Sequence, residues 1–192
     1  MTQVFSKALM VSEDVQAYVL SEKFYDAEGD AAEIHDGAFV VLGDHDTNDV
    51  YGTPDYNVYK ATAPKAANDY VAVVDLAEIQ MGTYSAGNFK FGTKLTDLKC
   101  EAGFAGRVRI LKKGDKFWLG EGNFTEAPNG KAYGVLTANS TLLTPTADLP
   151  FGDKFGVKII ATQDAVQGMM VAKNAGGNYE QFYLCEVINV RA

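Results

Sequence analysis

The residues most able to do chemistry in this chain lie in one acidic stretch, Asp44-His45-Asp46-Thr47-Asn48-Asp49, with Asp55 eleven positions after Asp44. Oxygen donors at alternate positions are what a calcium loop needs, because Ca²⁺ takes roughly six to eight hard ligands. The stretch departs from that pattern twice. Asp49 stands where a glycine makes the sharp turn, and Asp55 replaces the terminal glutamate. Its flanks read as strands rather than helices, so an acidic solvated loop is the simpler expectation. The two histidines, His35 and His45, are a second candidate for metal binding or acid–base work. Their spacing matches none of the local zinc-ligand patterns, and His35-Asp36-Gly37 reads as a strand start and a turn. Nucleophilic catalysis has no foothold: there is no Gly-x-Ser-x-Gly elbow, and Cys100 has no histidine beside it in sequence. Glu121 with Glu126 could be drawn as a glycosidase pair, but acidic residues are common on the polar face of a strand. Gly120-Glu121-Gly122 is not followed by a helical pattern, so no phosphate-binding loop is expected. No catalytic, metal-binding or cofactor-binding residue is assigned, and the chain is expected not to be an enzyme.

Aromatic residues offer a different chemistry. Phe117, Trp118, Phe124 and Tyr133 crowd one region and Tyr51, Tyr56 and Tyr59 another. Exposed aromatic rows bind sugars or protein partners, since they bury much area at low entropy cost; alternating aromatics in strands more often form core. Trp118 and the loop residues Tyr51 and Tyr56 are kept as candidate partner contacts. The N-terminus adds Val4, Phe5, Leu9 and Met10, with Lys7 the only charged side chain before Ser12. An isolated tail of this kind would leave its apolar surface in water, so it is expected to dock on its own fold or on a neighbour.

The elements that would position these groups are strands. Of 192 residues, 47% are hydrophobic and 22% charged, an ordinary globular balance. Short β-branched and aromatic runs separated by Gly, Asn and Asp read as an all-β, mainly antiparallel fold. Strands are expected at 37–42, 57–61 and 69–76 in a β-rich N-terminal half with long loops; residues 12–24 read as a strand or extended arm, with a short helix capped by Ser12 and carrying Val15, Tyr18, Val19 and Glu22 on one face as the alternative. Later, 107–111 and 116–119 flank Lys112-Lys113-Gly114-Asp115 as a hairpin. Asn129-Gly130 supplies the positive φ angles of a tight turn between 121–127 and 131–138. Residues 155–162 pair with 168–173, and 179–190 form a long last strand in which Tyr183, Cys185 and Val187 alternate with Phe182, Leu184 and Glu186. The Gly-rich stretch 82–92 is the best boundary. It divides the chain into a region 1–86, with its docking arm, and a small antiparallel barrel or sandwich at 87–192.

Bulk properties narrow the partners. The net charge of −8 repels nucleic-acid backbone and anionic lipid, so direct nucleic-acid binding is disfavoured. Arg107, Arg109, Lys112, Lys113 and Lys116 form the one basic cluster and read as a solvated face and turn. No apolar run approaches the roughly 20 residues of a membrane span, and Met1 to Ser12 is not a secretory signal. Two cysteines, Cys100 and Cys185, are expected as buried free thiols, with a disulfide left open.

The stretch Glu33-Ile34-His35-Asp36-Gly37-Ala38-Phe39-Val40-Val41-Leu42-Gly43 resembles strand openings in the capsid-associated proteins of tailed phages. The alternation of β runs and a long loop up to Asp75 resembles them too, as does Lys113-Gly114-Asp115-Lys116-Phe117-Trp118-Leu119. The resemblance implies a head decoration or auxiliary capsid protein, β-rich and often oligomeric, that stabilises the shell against internal DNA pressure. Its partners would be the major capsid protein, other virion proteins and further copies of itself. Its place would be the virion, assembled in the host cytoplasm. It brings no catalytic residue and no cofactor. A carbohydrate-binding module using Trp118 and Tyr56 is the first alternative. An enzyme with an unrecognised site around His35, Asp36 and Asp44 is the second.

Overall fold

Turn residues and alternation set the strands of the computed structural model, which describes residues 3, 5–9, 19–46, 58–66, 69–76, 98–150, 155–163 and 181–189. The strands are β1 (Phe5–Leu9), β2 (Val19–Phe24), β3 (Ile34–His35), β4 (Phe39–His45), β5 (Val58–Thr62), β6 (Ala72–Val74) and β7 (Lys99–Cys100). They continue with β8 (Gly106–Ile110), β9 (Lys116–Gly120), β10 (Tyr133–Leu136), β11 (Leu143–Thr146), β12 (Gly156–Gln163) and β13 (Phe182–Asn189). A 3-10 turn, Glu121–Asn123, follows β9. The fold is all-β and rich in antiparallel pairing, as the composition implied.

Five strands close a small barrel in the order β2-β5-β4-β6-β8. Its one parallel pair is β2 with β5; the other four pairs are antiparallel. A six-stranded antiparallel sheet lies beside it in the order β1-β9-β13-β12-β10-β11. Strands β3 and β7 pair separately.

The period of two in β4 serves both bodies at once. Val40 and Leu42 point into the barrel with Leu20, Phe24, Ala61, Ala72, Val74, Val108 and Ile110. Phe39 and Val41 point the other way, into a second core with Val71, Val73, Leu111, Phe117, Leu119, Phe155, Val157 and Cys185. Strand β6 is buried on both faces for the same reason. Each large side chain in these cores contributes about 1.5–3 kcal/mol by leaving water.

The expected division at 86/87 is crossed in both directions. Strand β8, from the second half, completes the barrel, and β1, from the first residues, joins the sheet of the second half. The closed barrel therefore takes its strands from 19–110 rather than from the C-terminal half, whose strands mostly form the open sheet. The boundary stretch 82–92 itself lies outside the described residues.

Two turns were legible while their strands were not. Lys112–Asp115 is a tight turn, with Lys112 N donating to the Asp115 carboxylate at 2.7 Å and Asp115 N to Lys112 O at 3.0 Å. It joins no hairpin: β8 pairs with β2 and β6, whereas β9 pairs with β1 and β13. Leu111 at the junction is buried in the second core, which draws the chain from one body to the other. Asn129 and Gly130 have positive φ (44° and 84°) as the Asn-Gly rule requires. The residues before them form the 3-10 turn and a bridge from Phe124 to Leu143, not a strand paired with β10. Strand β12 pairs with β10 and β13; the expected partner 168–173 lies outside the described residues.

Candidate functional site

A polar hub lies beneath the N-terminal strand. After β3 the chain turns at Asp36-Gly37, stitched by Asp36 N to Leu98 O at 3.0 Å and Gly37 N to Val74 O at 2.8 Å. Gly37 has φ +74°, a conformation that disfavours other residues, and a Cβ there would lie 2.5 Å from Asn123 Nδ2. The turn buries the Asp36 side chain. One carboxylate oxygen accepts Phe5 N–H and the other Leu76 N–H, both at 2.8 Å. Asp36 O accepts from Asn123 Nδ2 at 2.9 Å, and Asn123 Oδ1 accepts from Gly120 N at 3.1 Å. One aspartate thus ties β1, the corner before β4, the exit of β6 and the turn after β9.

Burial pushes the Asp36 carboxyl up to about 7, against the two N–H donors that favour its charged form. Asp75 adds to the upward push and Arg107 opposes it. Asp75 is itself buried and meets two guanidinium groups. Arg107 Nη2 lies 3.0 Å from its Oδ1, and Arg107 Nε donates to its backbone oxygen at 2.9 Å. Arg109 Nε and Nη2 both approach Oδ2 at 3.4 Å, while Arg109 Nη1 has no partner. The expectation that Arg107 and Arg109 form a solvated basic face is therefore corrected for these two residues: paired with Asp75, Arg109 is buried and Arg107 part-buried.

A third buried acid sits inside the barrel. Leu20, Glu22 and Phe24 share the inward face of β2, and Glu22 lies opposite Gly106 of β8 and Tyr59 of β5. Both its oxygens are buried without a hydrogen bond, and desolvation raises its pKa to about 7. Gly106 makes the room: a Cβ there would lie 2.6 Å from Glu22 Oε1. The Cys100 thiol is pushed up to about 11 by burial, then by Glu22 and Glu101. Its Sγ donates to Phe104 O at 3.3 Å.

The remaining candidates separate. His35 is half-exposed and 3.7 Å from Glu33, whereas His45 packs on Tyr59 with ring centroids 4.3 Å apart. Asp46 is buried rather than solvated, 3.2 Å from Lys23 Nζ and accepting Tyr25 OH at 3.0 Å. The rest of the acidic loop, 47–55, lies outside the described residues. Glu126 pairs with Lys131 on the surface. Cys100 and Cys185 are free thiols, Cys185 fully buried. Among the described residues no three His, Cys, Asp or Glu side chains converge to hold an ion.

Of the proposed partner contacts, Phe5 is buried in this chain's own core, its ring 5.2 Å from Phe117. Leu9 pairs with Lys116 in β9. Trp118 is half-buried on the face opposite Phe117 and Leu119, with Ser6 and Leu184 beside it in register. Val4, Met10, Tyr51 and Tyr56 lie outside the described residues. Sequence reasoning missed Glu22 and Asp75. The available signal for Glu22 was an acid between two apolar residues on the inward side of a strand.

No protein-family model, curated protein or solved structure matches the chain.

Proposed function

We propose that this chain is a structural protein of a tailed-phage virion, one that binds the capsid shell and stabilises it through protein–protein contacts. The observation that carries the reading is the use of the polar hub. Asp36, Asn123, Asp75 and Arg109 are spent on backbone groups and on one another, joining arm, barrel and sheet into one body. Such a body suits a protein whose work is to hold a surface in place. The surface best fitted to dock is the outer face of the six-stranded sheet, where half-buried Trp118 and Leu184 sit side by side. Aromatic and aliphatic side chains at the middle of a flat face are typical anchors of a protein interface. In this reading the protein decorates the shell as an oligomer in contact with the major capsid protein.

Co-sedimentation tests it. Purified protein is mixed with emptied tailed-phage heads stripped of decoration, and its size is measured in parallel. The expected result is saturable pelleting with the heads, weakened at least tenfold by Trp118→Ala. A strict monomer that stays in the supernatant with every head type would overturn the reading.

A further inference from the structure

We propose that β1 is an exchangeable strand, and that the slot it fills along β9 receives β1 from a second copy of this chain. The inference concerns the self-association in the reading above and does not depend on the shell.

Among the described residues, three sets of contacts hold β1. Its backbone pairs with β9 in the register Phe5 to Leu119, Ser6 to Trp118 and Lys7 to Phe117, with a shift before Leu9 meets Lys116. The Phe5 ring packs on Phe117. Phe5 N–H donates to Asp36. Every one of these contacts uses the strand alone, so the same strand from another copy makes them all.

The slot is built without β1. Strand β9 is held on its other side by β13, and the Asp36 corner is held by Leu98, Val74 and Asn123. The barrel closes through β2 with β5 and β8, so it does not need β1 either. The slot is costly to leave open. Withdrawal of β1 would uncover an edge of β9, one face of the Phe117 ring and an acceptor on a buried carboxylate. An uncovered apolar edge of this kind captures a strand. It is also selective, asking for an aromatic at the position whose N–H meets Asp36 and for the shift after Lys7.

The strand's own attachment sets when exchange occurs. Nine residues, 10–18, join β1 to β2, a reach of at most about 36 Å. Such a tether gives the strand an effective concentration on the order of millimolar at its own slot. Exchange therefore becomes substantial where copies are comparably concentrated, as in an assembly. Two copies of net charge −8 repel, so added salt favours the exchanged form.

The test traps the strand in full-length protein. Ser6→Cys and Trp118→Cys are placed on separate chains carrying tags of different size, co-expressed, concentrated to about 1 mM and mildly oxidised. A chain carrying both substitutions reports the register by closing an internal disulfide. The native thiols interfere little, because Cys185 is buried and Cys100 is held mostly protonated. The expected result is a mixed-tag disulfide in roughly a tenth or more of chains at about 1 mM, falling more than tenfold at about 10 μM. Internal closure in the double variant with no mixed-tag product would overturn exchange while leaving shell binding to its own assay. Leu9→Cys with Lys116→Cys carries the same test if loss of the indole costs the fold.

Discussion

The backbone N–H of Phe5 donates to the Asp36 carboxylate at 2.8 Å, across 31 positions of sequence. The other carboxylate oxygen takes Leu76 N–H at the same distance. Truncating the side chain strands two buried donors, each at a cost of about 1–3 kcal/mol. Asp36→Ala is expected to lower the unfolding free energy in urea by about 2–6 kcal/mol. Asp36→Asn should lose less, because its amide oxygen still accepts one bond. A measured loss below about 0.5 kcal/mol for the alanine variant, the scale of an ordinary surface change, would show that the hub does not bind the arm.

The class of fold was legible because turns and alternation are local. Asn129-Gly130 has the backbone angles its residue types demand, and Tyr183, Cys185 and Val187 face the core in the order their alternation implies. Pairing was not legible, because it is decided by which core a strand enters. Nothing in Lys112–Asp115 announces that β8 closes a barrel while β9 lies in a sheet. The hub was only half visible. Asp36-Gly37 looked like a turn and is one, but its carboxylate is satisfied by Phe5 and Leu76, residues 31 and 40 positions away. Asp75 likewise needs Arg107 and Arg109 brought to it by the barrel.

Glu22 makes stability depend on pH in a direction opposite to that of a salt-bridged acid. Its pKa is raised from 4.5 to about 7 by burial. Unfolded, the group releases its proton near 4.5; folded, it keeps it until about 7. Stability from this group is therefore full below the unfolded value, falls as pH rises between about 4.5 and 7, and is flat above. The loss across that window is about 3 kcal/mol, and Asp36, raised to about 7 as well, adds a slope of the same sign. Glu22→Gln should remove the first share, and Glu22→Met should raise stability at pH 8 by about 1–3 kcal/mol by ending the burial of an unpaired polar group. Urea titrations at pH 5 and 8 that show the same slope in wild type and Glu22→Gln would sink this account.

Gly37 and Asn123 are coupled sterically, because a Cβ on Gly37 would lie 2.5 Å from Asn123 Nδ2. Gly37→Ala adds left-handed strain of about 1–2 kcal/mol to that collision. Asn123→Ala loses the bonds to Asp36 O and Gly120 N, at a cost of about 1–3 kcal/mol or more. In the double variant the collision is gone while the other losses remain. A double-mutant cycle should fall short of additivity by at least about 1 kcal/mol; simple additivity would refute the contact.

Asp75 balances charge at the joint of barrel and sheet. Arg109 is buried, and both of its bonded nitrogens go to Asp75 Oδ2. Asp75→Asn leaves that guanidinium in the interior without its carboxylate, and breaking a buried pair from one side costs about 3–5 kcal/mol. Replacing both members, Asp75→Asn with Arg109→Met, removes the stranded charge and should recover part of the loss. The same aspartate helps hold the Asp36 carboxyl up, so Asp75→Asn lets Asp36 ionise at lower pH. A lower pKa in the folded state stabilises it once the pH exceeds that value. The cost of Asp75→Asn should therefore be smaller at pH 8 than at pH 5, and equal costs at the two would break the link between Asp75 and Asp36.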